Sequence, residues 1–355
     1  MMFQDVTSSR RAIFAATALL ASFALVACGD SSERFALGQN LEVQEGETLS
    51  IVLDGSGGAV EIVDAPQHGT LEGTGRELTY VPDAGFLGRD TFTFTLGSSE
   101  PATIQIDVFH TPFYAFTRGS SEMSSKLYRV ERGAHQLVGD IGHALGGIKF
   151  DPTDGKLFGT TRGSDFEDKC DLCLVTVNTS TGAATVVGPL HYEVDDLVGQ
   201  AVPTLAFTSD GALYGWSEDG DDLVSIDKAT SLVEVLGDSG IGSWAHGMWV
   251  DADDTIWFIN GDGYVYTVDP VTGATSEIHT GEALAESAGL DYDGDFQVRG
   301  DVNPVNEIYW GVSPASGESL VNPYIRVSID ADTAEYVGAA AIAPVPSLHG
   351  LAFPR

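Results

Sequence analysis

His246 and His349 each open a short apolar segment, His246-Gly247-Met248-Trp249-Val250 and His349-Gly350-Leu351-Ala352-Phe353. A neutral imidazole can ligate a metal or hold a polar ligand, and Trp244, His191 and Tyr192 stand in adjoining segments. The simpler reading is a set of polar residues lining a wet channel. Four acidic runs also have chemistry to offer: Asp151-Pro152-Thr153-Asp154-Gly155, Ser209-Asp210-Gly211, Asp251-Ala252-Asp253-Asp254 and Asp291-Tyr292-Asp293-Gly294-Asp295. Carboxylates at such spacing suit Ca²⁺, yet Asp and Gly are equally what a tight β-turn selects. Asp291, Asp293 and Asp295 make the best cation candidate among them, and no other cofactor is expected. Cys170 and Cys173 are three residues apart. A redox centre would need a βαβ setting and a zinc site two further ligands, so a short-range disulfide in an oxidising compartment is expected.

The elements that position these residues repeat. Gly146–Phe150, Pro203–Phe207, His246–Val250, Ala288–Tyr292 and His349–Phe353 share a pattern of small residue, apolar residue and a terminal aromatic or Val. Each of the first four is followed by three more strand-like runs, for example Lys156–Thr160, Leu174–Val177 and Ala184–Gly188. A repeating unit of this kind cannot bury its faces alone and must stack on its neighbours. Residues 113–139 supply three strands without an opening one, and the last segment has no successors, so the two fragments complete one unit. That is how a β-propeller closes its ring and removes open edges. The repeats resemble the propellers with Thr-Gly hairpins of exported bacterial proteins. The expected fold is all-β: a small Ig-like β-sandwich over 37–110, then a five-bladed β-propeller over 111–355 closed by the C-terminal strand.

Residues 1–27 read as an export signal. Arg10 and Arg11 precede an uncharged run from Ala12 to Ala27, too short to span a bilayer in comfort. Its end, Leu25-Val26-Ala27-Cys28, resembles the lipobox of bacterial lipoproteins, which implies diacylglycerol on the Cys28 thiol and cleavage before it. Residues 28–36 then form a tether. Gly29 follows the Cys, with Asp30 one place later, which favours the outer membrane or cell surface over the inner membrane.

A second resemblance covers the next segment. Pro66-Gln67-His68-Gly69-Thr70-Leu71, Leu78-Thr79-Tyr80-Val81-Pro82 and Gly85-Phe86-Leu87-Gly88-Arg89-Asp90-Thr91-Phe92-Thr93-Phe94 resemble the bacterial Ig-like (cadherin-like) repeats of surface proteins. The resemblance implies a spacer or adhesion module without catalytic residues. His68 beside Gly69 reads as a turn residue. Along 91–96 Thr alternates with Phe or Leu, as a half-buried strand requires.

Lys and Arg number 17 against 52 Asp and Glu, a net charge of −35. That excludes nucleic acid as a partner, because phosphate neutralisation by basic side chains dominates such affinity. No nucleophile elbow, His-Glu-x-x-His or phosphate loop is present. Five-bladed glycosidases set paired carboxylates on inner strands, whereas the inner segments here carry one, Asp291. The long connections 118–125, 162–173, 189–201, 313–323 and 339–347 fall on one face of the expected ring. The expected function is therefore non-catalytic binding of a protein or glycan by an envelope lipoprotein held to the membrane by its lipid. A propeller hydrolase or lyase acting at the channel mouth is the alternative, and a purely structural envelope protein a third.

Overall fold

The structure, a computed structural model, describes residues 34–119, 123–162, 170–192, 201–218, 220–241, 245–283, 299–312, 324–330, 334–339, 342 and 348–355. The backbone forms two compact units. The first holds residues 50–80 and 89–107 with the strands that precede them; the second holds 108–355 together with 43–49 and 81–88.

Unit one is built from short antiparallel strands. Val60–Asp64, Gly88–Leu96, Ala102–Phe109 and Gln39–Gln44 make one sheet, and Leu49–Val52, Glu77–Pro82 and Gly69–Thr74 another. The alternation expected along 91–96 is observed: Phe92, Phe94 and Leu96 are buried, while the Thr residues between them stay on the wetter face. Asp90 ties the three resembling motifs together. Its buried carboxylate accepts from the backbone N–H groups of Gln67 (3.0 Å), His68 (2.9 Å) and Thr91 (2.8 Å) and from the Tyr80 hydroxyl (2.9 Å). Burial pushes its pKa up, but the four donors outweigh that and hold it below the ordinary carboxylate value. His68 serves through its backbone, as a turn residue does: its carbonyl also accepts from Tyr80 Oη.

Unit two is a β-propeller. From the inside outward the first blade runs Leu348–Ala352, Phe113–Thr117, Lys126–Glu131 and Ala134–Asp140, so the C-terminal strand supplies its inner edge. The second blade runs Leu145–Phe150, Leu157–Thr161, Cys173–Val177 and Ala184–Pro189. Thr204–Phe207, Leu213–Ser217, Asp222–Ile226 and Leu232–Asp238 form the third, and Ala245–Val250, Ile256–Asn260, Val265–Val268 and Thr275–His279 the fourth. The fifth is Arg299–Val302, Ile308–Val312, Tyr324–Ile329 and Ala334–Ala339. Each innermost strand adjoins those of the blades on either side, and the fifth adjoins the first.

The period-2 geometry of a strand gives each blade two faces, and both are used. Leu157 packs toward the first blade while Phe158 packs toward the third. Trp216 enters the core shared with the fourth blade, where it stacks on Phe258 at 4.0 Å. Trp257 and Ile259 meet Tyr309 and Val327 of the fifth blade. Trp310 and Tyr324 pack on Phe113 and Phe353 of the first. Burying one such aromatic contributes roughly 2–3 kcal/mol, so each interface between blades is a separate hydrophobic core.

The hairpins joining third to fourth strands share one device. Asn178, Asp227 and Asp269 each accept, through Oδ1, backbone N–H groups two and three residues on, at 2.7–3.0 Å. Such side-chain turns explain the recurrence of Asx residues there. Asp251 does the same after an inner strand, with Asp253 N (3.0 Å), Thr255 N (2.9 Å) and Trp257 Nε1 (2.8 Å). Asp151 accepts from Thr153 N (2.9 Å) and is also paired with Lys228. These acidic runs are turns, and among the described residues no three His, Cys, Asp or Glu side chains gather as a metal would need.

One inner strand differs from the expected one. The place assigned to Ala288–Tyr292 is taken by Arg299–Val302, which pairs with Ile308–Val312. Residues 288–292 lie outside the described residues. Arg299-Gly300-Asp301-Val302 escaped the pattern because two of its residues are charged, and the charge of Asp301 is met by Lys149 and Arg355, far away in sequence.

Candidate site at the mouth of the propeller

Two charge clusters occupy the inner strands. The first is buried. Asp301, fully inaccessible, accepts from Lys149 Nζ (2.8 Å), Arg355 Nη2 (3.2 Å), its neighbour Val302 N (2.9 Å) and Phe353 N (3.0 Å). Lys149 also donates to the Met248 carbonyl at 2.9 Å. Burial pulls the Lys149 ammonium down, and Asp301 works against that pull. The inner strands therefore do carry a buried carboxylate, Asp301, where Asp291 was expected. It is engaged by two cations and two backbone donors, which together clasp three blades.

At the other end of the inner strands stand Arg118, Arg162, Arg299 and His349. Arg118 directly follows Phe113–Thr117, and Arg162 directly follows Leu157–Thr161, the second strands of the first two blades. Arg299 opens the inner strand of the fifth blade, and His349 lies in that of the first. His349 is 2% exposed and packs edge-on against Phe116, with ring centroids 5.6 Å apart. Its Nε2 lies 3.4 Å from Arg162 Nη1 and is also contacted by Arg299 Nη1. Arg299 Nη1 also lies 3.3 Å from His349 Nδ1, so this guanidinium faces both ring nitrogens.

Burial is the largest cause that lowers the pKa of both Arg162 and Arg299, and the charge of Arg118 adds to it in each case. Arg299, which also feels Arg162, is brought down to about 10. Glu218, which follows the second strand of the third blade as Arg162 does that of the second, pulls the other way for both. Among the described residues the cluster is thus a convergence of like charge from the first, second and fifth blades, tempered by Glu218 of the third.

Local sequence explains the placement. Thr161 Oγ1 donates to the Cys170 carbonyl (3.0 Å) and accepts from Cys173 N (2.7 Å), and Cys170 and Cys173 are joined as a disulfide. Both contacts hold the chain where it leaves the strand at Arg162. A Cβ on Gly119 would stand 2.7 Å from Ala144, so the residue after Arg118 has to be Gly; one on Gly300 would collide with the Trp310 carbonyl. The signal for this cluster is a short one: Thr-Arg-Gly occurs at 117–119 and again at 161–163, and Arg-Gly at 299–300.

Of the residues singled out by sequence, the structure brings His349 to this site. His246 is on the inner strand of the fourth blade, but its side chain lies outside the described residues, as do Trp244, Asp291, Asp293 and Asp295. Cys28 is also outside them. His191 and Tyr192 are not in a mouth loop. They form a two-residue strand paired in parallel with Leu232 and Val233, on the outermost edge of the third blade. The Tyr192 ring is buried in the core of that blade, which accounts for its position. Among the described residues, His349 Nε2 is faced by the guanidinium groups of Arg162 and Arg299.

No curated protein sequence matches the chain significantly. Among solved structures, the nidogen/laminin complex aligns at 12% identity over 68% of this chain and 97% of that chain, with a TM-score of 0.45. TolB from Acinetobacter baumannii aligns at 15% identity over 65% and 53%, with a TM-score of 0.40. A catalytically inactive virginiamycin B lyase from Staphylococcus aureus, solved with quinupristin, aligns at 12% identity over 81% and 91%, with a TM-score of 0.36. A family model, that of the bacterial Ig domain, matches residues 32–108 of the chain.

Proposed function

We propose that this chain is an exported lipoprotein, anchored through Cys28, whose five-bladed propeller binds a protein or glycan at the cell envelope without transforming it. One observation carries this reading: the two ends of the inner strands are unlike. The carboxylate at the centre is locked by Lys149, Arg355 and two backbone donors, so the paired acids of glycoside hydrolysis have no place there. At the other end Arg118, Arg162, Arg299 and His349 meet where the connections 118–125 and 162–173 leave their strands. Binding residues on loops held by a rigid scaffold are the usual arrangement.

The test is an array of envelope proteins and of neutral and acidic glycans, probed with the protein from residue 29 onward. Specific capture that is lost when residues 314–322 are replaced by a short Gly-Ser turn supports the reading; turnover of a captured glycan overturns it. Labelled palmitate, incorporated by the wild type and not by Cys28→Ser, tests the anchor separately.

A further inference from the structure

We infer that the outer face of the first strand pair of unit one rests on the bilayer that holds the Cys28 lipid, with Phe35, Leu37 and Val52 at the boundary between headgroups and acyl chains. The inference rests on the reading of Cys28 as a lipid anchor and says how the chain beyond the anchor meets the membrane.

Phe35–Leu37 pairs antiparallel with Asp54–Ser56, Phe35 opposite Ser56 and Leu37 opposite Asp54. Opposed residues of a strand pair share a face, so these four lie on one side. Val52 stands two residues before Asp54 and so has the same parity. Its carbonyl accepts from Gln39 Nε2 at 2.8 Å, which holds it beside the end of the first strand. The opposite side belongs to the core: Leu53 is buried, and a Cβ on Gly55 would stand 2.7 Å from Leu96. A strand side turned to water normally carries polar residues, as the Thr side chains of 91–96 do in the same unit. Here it carries Phe35, Leu37 and Val52, exposed at 48%, 44% and 64%. Asp54 on this side turns its Oδ1 to the Gly55 N–H at 2.7 Å. The tether says what covers the patch. Six residues, 29–34, separate Cys28 from Phe35. An extended chain advances at most about 3.6 Å per residue, so Phe35 stays within about 25 Å of the lipidated sulfur. The bilayer is then the apolar surface always at hand, whereas a second copy must diffuse to the patch. Arg34 is exposed at the start of the strand, where a long cationic side chain can meet lipid phosphate. The net charge of −35 favours zwitterionic lipid over anionic lipid. An apolar strand face beside an acyl anchor fixes how the first unit lies on the membrane.

The experiment uses the full chain, produced with its lipid and reconstituted in phosphatidylcholine vesicles, with a polarity-sensitive dye on Val52→Cys. A blue-shifted emission that nitroxide-labelled lipid quenches is expected. Both effects should be lost when Phe35→Ser and Leu37→Ser are added, while palmitate is still incorporated and the melting temperature is kept. A dye on Leu37→Cys should report the same shift and quenching, so the test does not hang on one labelled position or on the double variant folding. The inference is overturned if the dye emits as it does in water, or if quenching survives in the folded double variant. A blue shift that lipid nitroxide does not quench and that grows with protein concentration also overturns it, and shows a second copy on this face. Absence of palmitate overturns the anchor reading and the inference together; palmitate-bearing protein with its dye in water overturns the inference alone.

Discussion

The two ends of the inner strands hold similar numbers of charged groups and treat them in opposite ways. Lys149, Asp301 and Arg355 are of mixed sign, buried and saturated with hydrogen bonds. Arg118, Arg162 and Arg299 are of one sign and partly open, and burial, with the charge of Arg118 added, lowers the pKa of Arg162 and Arg299. Folding alone explains the first cluster, since it joins the second, fifth and first blades. In the second, burial and like charge work against the arginines and Glu218 offsets part of that cost.

Neutralising charge at either end breaks or sharpens this contrast. The largest effect is expected for Asp301→Ala, which leaves Lys149 buried without its carboxylate and frees the Phe353 amide; a loss of about 3–5 kcal/mol is expected in denaturant unfolding. Lys149→Met should cost less, because Asp301 keeps Arg355 and its backbone donors. Equal losses for the two would mean that Lys149 is not the replaceable partner.

Asp90 extends the comparison to the first unit, where a buried carboxylate is satisfied by neutral donors. Asp90→Ala should cost about 2–3 kcal/mol for those lost charged hydrogen bonds. Because its folded pKa is depressed, its contribution is present above the unfolded value near 3.8 and is lost as pH falls through the lower folded one. Asp90→Asn should therefore flatten the acid limb of a stability–pH curve, and an unchanged limb would contradict the assignment.

Reducing the Cys170–Cys173 disulfide closes off a smaller term, about 2 kcal/mol at most for so short a loop, read as a shift in melting temperature. Smallest of all is Arg162→Gln, expected to leave the melting temperature unchanged or raise it slightly as repulsion is relieved. A clear loss of stability there would erase the distinction between the two ends.

Much of the propeller was legible from residue pattern, because close packing around a ring imposes small and apolar residues on inner strands. Leu145–Phe150, Thr204–Phe207, Ala245–Val250 and Leu348–Ala352 all lie where that pattern puts them. Arg299–Val302 was missed because the charge of its Asp301 is compensated by Lys149 and Arg355, 152 and 54 residues away, and no local window contains them. The candidate site failed to stand out for a related reason. Arg118 and Arg162 look like ordinary loop residues until equivalent strand ends are laid side by side, when Thr-Arg-Gly appears twice. His191 and Tyr192 were read as loop because two residues are too few to show a strand period; their pairing with Leu232 and Val233 is decided in three dimensions.

The closure of the first blade also sets a schedule. Tyr114 pairs with Ala352 and Phe116 with Gly350, so a strand made early waits for one made almost last. Until then the Phe113–Thr117 edge is open to any passing strand, a hazard for a chain still folding. The blade that begins the ring is the one whose assembly must finish it.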